Sequence, residues 1–252
     1  MPGCPVKSSP PAATSGDAGA SSGGCPVAPA AQKAMVAAAV GQQGCGAGVD
    51  GEEVNNPANH MPASPNQQPS AGQRKALPTE RVTSSIPSGT SAEPLWVYPS
   101  QQMFFNAMRR KGYSPREEEM NAVVAIHNSV NERAWSQVLE WEQALHPECL
   151  TGLRLLRFQG KPDEPTLKAR ANSLVGYSAP FDRHDWVLSR CGKEVTYLID
   201  FYNGKPTPLA PVSMHIDARP AADDLESAWD RVRMPALGMW RAASTWWKAA
   251  SS

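Results

Sequence analysis

The run Met120-Asn121-Ala122-Val123-Val124-Ala125-Ile126-His127-Asn128 decides how the middle of the chain folds. Its apolar residues recur with His127 at spacings of three and four, which predicts a helix that carries the imidazole on its apolar face. A histidine in such a place is either a core residue with satisfied ring nitrogens or an axial ligand to a metal or haem. The helix alone favours the core residue, because a lone histidine is weak evidence for a ligand.

The composition of the 252-residue chain is balanced in charge but uneven along its length. Lysine plus arginine equals aspartate plus glutamate at 24 each, which excludes the electrostatic signature of a nucleic-acid binder. No apolar run approaches the roughly 18 residues that a bilayer-spanning helix needs. The N-terminus has neither the apolar core of a signal peptide nor the arginine-rich pattern of a transit peptide, so an organellar location would need an internal signal.

The five cysteines are an odd number without regular spacing. No two of them have the C-x-x-C spacing of a zinc site, and we expect no disulfide scaffold in so long a chain. Cys4 and Cys25 lie in two near-copies of the motif Gly-Cys-Pro-Val. A thiolate before a proline is a candidate ligand of haem iron, although two such pairs in a proline-rich tail also arise by chance.

Composition divides the chain into four parts. Residues 1–50 have too little apolar surface to offset the entropy of ordering, which predicts a disordered tail with the Cys-Pro motifs. Residues 51–93 form an extended Pro/Asn-rich segment, either a flexible linker or a strip that lies over a folded surface. Residues 94–235 form the folded domain. Residues 236–252 form an amphipathic Trp-rich helix, which packs back on the domain or lies on a membrane surface.

The folded domain changes from helical spacing to alternation after Pro147. Ser100 is expected to cap a helix that ends at Gly112, and Ser114 to begin the helix of His127, with an interruption at 128–131 before a further helix. Further elements are predicted as strands near 153–157, 186–190, 194–202 and 214–219, and as helices at 165–175 and 223–232. The fold class is therefore α+β, with helices around a small antiparallel sheet.

A second histidine lies in a stretch dense in charged and aromatic groups. Residues 176–186 read as a turn, in which His184 would be a structural residue. His184 and Asp185 are adjacent, and adjacent residues in a strand point to opposite faces. We therefore do not expect these two side chains to form an acid–base dyad.

Two more charged residues have simple explanations. Glu132 lies five residues after His127, so it approaches the imidazole only if the helix breaks between them. Otherwise it is an acid favoured near a helix N-terminus. Arg190, opposite Tyr197 or Glu194 on a hairpin, is most simply a cross-strand partner.

Several stretches in order resemble the holocytochrome c synthases, also called cytochrome c haem lyases, over about residues 52–234. These stretches are Leu95-Trp96-Val97-Tyr98-Pro99-Ser100, Ile126-His127-Asn128, Asn131-Glu132, Trp141-Glu142, Pro180-Phe181-Asp182-Arg183-His184-Asp185-Trp186, Arg190-Cys191-Gly192 and Asp217-x-Arg219-Pro220-Ala221. The resemblance implies a carbon–sulfur lyase that attaches haem b, with ferrous iron, to apocytochrome c. It further implies the mitochondrial intermembrane space, with peripheral association to the inner membrane.

The resemblance also implies roles for individual residues. His127 stands where the family has its axial haem ligand, while the C-x-x-C-H segment of the cytochrome, together with its N-terminal helix, is the partner. Glu132 matches a position important in the family, which we assign to the ligand region or the cytochrome contact. The remaining assignments are Trp96 and Trp141 to the haem wall, Arg190 to structural support or a haem propionate, and His184 to a secondary polar role.

Two other classes of function compete with this interpretation. A haem carrier or sensor would bind haem through His127 or the Cys-Pro thiolates without chemistry. An interaction protein of the intermembrane space would need no cofactor. Neither the tail before residue 50 nor the region after Pro235 aligns with the family, so Cys4 and Cys25 are at most accessory haem ligands.

Overall fold

The computed structural model describes residues 66–89, 93–204 and 213–250, with 241–250 as backbone only. Its strands are β1 (Thr83–Pro87), β2 (Leu95–Val97), β3 (Arg154–Gly160), β4 (Asp182–Arg190), β5 (Lys193–Asn203) and β6 (Met214–Pro220). Its helices are α1 (Gln101–Arg110), α2 (Met120–Leu145), α3 (Leu167–Leu174) and α4 (Leu225–Ala250), with 3-10 turns at Glu117–Glu119 and Pro147–Gly152. The predicted α+β class is confirmed. The tail with Cys4 and Cys25 lies outside the described residues.

The strands form two antiparallel sheets. One pairs β1 with β2, and the other has the order β3-β4-β5-β6. The larger sheet packs on α2, where Trp135 and Val138 meet Trp186, Leu188 and other buried residues of β4 and β5. Each such side chain contributes about 1.5–3 kcal/mol on burial, so this layer is the main core. The strands predicted from alternation are confirmed.

The first helix has the predicted ends. Ser100 precedes it in an extended conformation, and its hydroxyl accepts a hydrogen bond from the Met103 N–H at 3.2 Å. The helix ends at Arg110, and Gly112 takes the left-handed φ of +78° that a glycine adopts without strain.

The second helix differs from the prediction in its continuity and in its start. It does not break at 128–131, because Asn131 donates to the His127 carbonyl at 2.8 Å and so returns its polar group to the preceding turn. Buried Ala134 and Trp135 then continue the apolar face. Its start was also predicted wrongly: the helix begins at Met120 after a 3-10 turn. The residue at the cap position of that turn is Arg116 and not Ser114, and Glu117 accepts backbone N–H bonds from residues 74 and 75.

The segment before residue 94 lies over the first helix. The Asn106 amide donates to the carbonyls of Asn66 and Gln68, both at 3.0 Å, and the Gln73 and Gln102 amides bond to each other at 2.8 Å. These hydrogen bonds hold the described part of the segment against α1. Folded structure thus begins well before the predicted domain start.

The fourth strand starts earlier than expected. The turn predicted for residues 176–186 was wrong from Asp182 onward, because β5 extends far enough to pair Asp182 with Phe201 and His184 with Ile199. The even-numbered residues of β4 all lie on its buried face, the face that carries Trp186 and Leu188 against α2. His184 therefore faces the helix layer.

One disulfide joins two of the cysteines. Cys149 on the second 3-10 turn and Cys191 at the β4–β5 turn are bonded, with their Cα atoms 5.2 Å apart. The sequence predicted no such pairing. Because 42 residues separate the two cysteines, only the sheet topology brings them together.

The last helix runs unbroken through Pro235, where the sequence had suggested a boundary between two segments. Five large apolar side chains along it are mostly exposed: Leu225, Trp229, Val232, Met239 and Trp240. Within the described ranges, every helix is too short or too polar to cross a bilayer.

Candidate functional site

The His127 imidazole lies between two aromatic rings. Phe104 of α1 meets it edge-on with ring centroids 5.1 Å apart, and Tyr98, just after β2, meets it at 5.8 Å. Both aromatic side chains are buried, whereas His127 itself is only half-buried. The helix therefore presents the ring at the edge of the core, held on two sides and open on another.

The ring nitrogens of His127 have different environments. Nδ1 is 2.9 Å from the Asn128 side-chain oxygen, so an Nδ1–H proton donates to that oxygen and the lone pair stays on Nε2. Burial lowers the His127 pKa to about 4, against the raising effect of Asn128, and the nearby charges of His184 and Lys111 lower it further. A neutral imidazole with a free Nε2 is the form that binds iron.

Glu132 approaches His127 through other residues. Its carboxylate accepts hydrogen bonds from the Ser85 N–H at 3.0 Å, from the Ser85 hydroxyl, and from the Tyr98 hydroxyl at 2.9 Å. Partial burial raises its pKa, but these hydrogen bonds outweigh burial and hold the pKa below the ordinary value. The explanation of Glu132 as a helix-start acid was wrong, because the helix is continuous there.

His184 pairs with an aspartate that the sequence analysis missed. Its Nε2 is 3.3 Å from Asp182 Oδ2, while its ring lies edge-on to Phe201 at 4.7 Å. Asp185 instead binds Arg183 at 2.8 Å. The sequence could have indicated this pair, because residues two apart on a strand, such as Asp182 and His184, lie on the same face.

The second histidine shares the neighbourhood of the first. The charge of His184 lowers the His127 pKa. Burial lowers the pKa of Lys111 to about 8, against the raising effect of the Asp182 charge. Among the described residues, His184 Nδ1 is buried without a hydrogen-bond partner. Electrostatics thus links His127 on α2 with His184 on β4.

Arg190 lies in a different cluster. The register sets it opposite Lys193, so the cross-strand explanation was wrong. Its guanidinium is buried and contacts Glu142 at 3.4 Å and Asp230 at 3.3 Å. Because Glu142 follows His127 by 15 residues on one helix, the two lie about 22 Å apart along the axis. These contacts favour structural support over a haem propionate.

The two tryptophans assigned to the haem wall differ in position. Trp96 lies two residues before Tyr98, and its indole N–H donates to the Leu155 carbonyl at 3.2 Å. Trp141 donates to the Ala218 carbonyl at 2.9 Å and sits 14 residues beyond His127, about 21 Å along the helix. The Trp96 ring packs edge-on against Phe158 at 5.5 Å, and Trp141 lies far from the imidazole.

The protein alone offers few ligands to a metal ion. In the part of the chain that the structure describes, no three His, Cys, Asp or Glu side chains converge so as to hold one. A metal at His127 would therefore bring most of its ligands with it, as the iron of haem does.

Most of the chain matches one protein family. The family described as "Cytochrome c/c1 heme lyase" matches residues 1–234, so the expectation that the tail before residue 50 does not align with the family was wrong. A putative holocytochrome-c1 synthase of Schizosaccharomyces pombe is 50% identical over 161 residues, which cover 62% of this chain and 74% of the relative. The holocytochrome c-type synthase of Homo sapiens is 42% identical over 208 residues, 81% of this chain and 73% of that protein.

A third relative extends the range of organisms. The holocytochrome-c synthase of Saccharomyces cerevisiae is 38% identical over 201 residues, covering 70% of this chain and 74% of the relative. No solved structure matches the chain. The family match spans far more than half of the sequence. The chain therefore belongs to the cytochrome c/c1 haem lyase family, which makes it a lyase.

Proposed function

We propose that this lyase is a holocytochrome c synthase that joins haem b to the C-x-x-C-H motif of apocytochrome c through two thioether bonds. The single observation that carries the proposal is the state of His127. Its imidazole is neutral, fixed between two aromatic rings and bonded at Nδ1, which leaves Nε2 for iron. Histidine ligation through one nitrogen, with the other oriented by a hydrogen bond, is the usual arrangement at metal centres.

Haem and the cytochrome are both substrates in this proposal. His127 holds the ferrous iron on one axial side, and the histidine of the C-x-x-C-H motif takes the other side. Each thiol then adds across a vinyl group: the S–H bond breaks, an S–C bond forms, and the proton ends on the other vinyl carbon. No oxidant or reductant is consumed. The protein contributes mainly position, because two additions become effectively intramolecular.

The proposal includes peripheral binding to the mitochondrial inner membrane, on the intermembrane-space side, through α4. Its exposed apolar residues include Trp229 and Trp240. From Arg231 to the end of the helix the sequence has basic residues but no acidic ones. An amphipathic helix with exposed tryptophan and an excess of basic residues binds at an anionic lipid interface.

Co-expression with apocytochrome c, in a host without its own cytochrome c maturation system, tests the activity. We expect covalent haem on the cytochrome with the wild-type chain, and neither product nor haem co-purification with His127→Ala. Haem bound only to this chain would instead indicate the carrier or sensor. Retention of product by His127→Ala would overturn the axial-ligand assignment. A chain that binds the cytochrome but no haem would be the interaction protein.

A further inference from the structure

We infer that Ser85, Glu132 and Tyr98 form a clasp that positions the His127 imidazole for iron. The inference rests on the proposed function and deepens it. None of the three residues is the ligand. Each is a positioning residue: Ser85 acts on Glu132, Glu132 acts on Tyr98, and Tyr98 contacts the His127 ring. Ser85 belongs to the segment whose composition is typical of a linker.

The clasp joins three separate parts of the chain at one carboxylate. Ser85 lies on β1, Tyr98 follows β2, and Glu132 lies on α2, five residues or about 1.4 turns beyond His127. Both Glu132 oxygens are used: Oε1 accepts from the Ser85 N–H and the Tyr98 hydroxyl, and Oε2 accepts from the Ser85 hydroxyl. The carboxylate thereby fastens the small sheet to the helix beside the imidazole.

Tyr98 carries the constraint to the imidazole. Its ring is only 8% exposed and meets the His127 ring edge-on at 5.8 Å, opposite Phe104. Its hydroxyl also lies 3.5 Å from the backbone carbonyl of Asn128, the residue whose side chain binds His127 Nδ1. Because its hydroxyl is hydrogen-bonded to Glu132, the Tyr98 ring cannot rotate away from His127. Glu132 therefore fixes the position of one of the two rings that contact the imidazole.

The contacts at Ser85 are poorly suited to a purely structural role. Ser85 is exposed and Glu132 is half-buried, and hydrogen bonds in such places add little to folding stability. The neighbouring Ser84 points to the other side of the strand, where it is buried and donates to the Trp96 carbonyl at 2.7 Å. Ser84 belongs to the same strand without touching the carboxylate, which makes it the matched control.

The experiment compares the full-length wild type with Ser85→Ala, Ser84→Ala, Tyr98→Phe and Ser85→Thr. Purified protein is loaded with haem and reduced, and the absorption spectrum and the rate of haem transfer to an excess of apomyoglobin are recorded. In the haem-free proteins, the ring ¹⁵N resonances of His127 report which nitrogen carries the proton. Thermal unfolding of each variant provides the stability measurement.

We expect Tyr98→Phe to release haem about tenfold faster, the factor of one hydrogen bond to a charged group. Ser85→Ala should change haem release in the same direction by a smaller factor, because its hydroxyl is exposed and its N–H bond to Glu132 remains. Their spectra should gain a weaker-ligated component, and their haem-free His127 ring should populate both tautomers. Ser85→Thr, which keeps the hydroxyl, should resemble the wild type. Ser84→Ala should leave the spectrum and the His127 tautomer unchanged, even if it lowers the melting temperature.

Two results would overturn the clasp. One is unchanged haem release and an unchanged His127 tautomer in both Ser85→Ala and Tyr98→Phe. The other is an equal change in Ser84→Ala, because the effect would then follow strand stability. A wild-type chain that binds no haem would defeat the proposed function, while the tautomer measurement would still decide whether the clasp positions His127.

Discussion

The two ends of the contact between α2 and β4 hold polar clusters of opposite kinds. At one end stand His127 and His184, and at the other Glu142 and Arg190. About 22 Å along the helix separates His127 from Glu142, and about 20 Å along the strand separates His184 from Arg190. The same helix and strand therefore supply both clusters.

The clusters differ in burial and in charge. At the histidine end the His127 side chain is half-buried, and its Nε2 is open. At the arginine end the charged groups are buried together: Tyr197 donates to Glu142 at 2.6 Å, and His146 binds Asp230 at 2.8 Å. Further oxygens of Glu142 and Asp230 are buried there without a hydrogen-bond partner among the described residues. A half-buried, neutral imidazole suits a ligand, whereas the buried ion pairs fix the packing of α4 against the core.

Arg190→Ala should give the largest effect on folding. It leaves two carboxylates, Glu142 and Asp230, buried without their cation, which costs roughly 3–5 kcal/mol in the free energy of unfolding. Urea denaturation measures this loss. Arg157→Ala is the control, because its pair with Glu194 is exposed and removal should cost less than about 1 kcal/mol. Equal losses in the two variants would show that the buried cluster does not stabilise the fold.

Removal of the disulfide should have the next largest effect. Cys149 follows His146 by three residues and Cys191 follows Arg190 directly, so the bond ties together two chain segments that contact Asp230. The paired change Cys149→Ser with Cys191→Ser should lower the free energy of unfolding by about 2–4 kcal/mol. Haem binding by the folded fraction should persist, since the disulfide lies at the far end of α2. A reductant should lower wild-type stability to the same level, and a stability unchanged by either treatment would contradict the expectation.

Acidification should affect the histidine end selectively. The His127 pKa is about 4 in the folded chain against an ordinary 6.5, mainly because burial disfavours the charged ring. The unfolded chain therefore takes up this proton first, and the free energy of unfolding should fall as the pH drops from 6.5 to 4 and level off below. His127→Gln should show a shallower fall over that range in denaturation at successive pH values. Parallel curves for the two proteins would contradict the shifted pKa.

The parts of the fold that rest on local rules could be predicted from the sequence. Ser100 and Gly112 bound α1 through a cap and a left-handed glycine, and alternation located the strands of the larger sheet. The continuity of α2 was missed, because the prediction treated Asn131 as a helix breaker, whereas its side chain bonds back to the preceding turn.

The candidate site was predictable only in part, since most of its contacts are long-range. The spacing of the helix showed that His127 faces inward, and the resemblance singled out Glu132. The bond from Ser85 to Glu132 spans 47 residues, and no local pattern indicates it. The His184–Asp182 pair could have been found, because residues two apart on a strand share a face. Because residues 176–186 were predicted to form a turn, this rule for strands was not applied to them.

His184→Ala should give the smallest effect among these changes, and it measures how far the histidine end extends beyond His127. His184 is buried beside Phe201 and bonded to Asp182, and it influences His127 only through charge. We expect a partial loss of holocytochrome c in co-expression, within about tenfold, the lower end for outer partners of a metal ligand. The haem spectrum should keep its His127 signature, because the ligand and its clasp are intact. Asp185→Asn, next along β4 but on the other face, is the control and should yield more product than His184→Ala. Complete loss of product with His184→Ala, at unchanged melting temperature, would place the second imidazole in direct contact with a substrate and make the histidine end a two-residue centre.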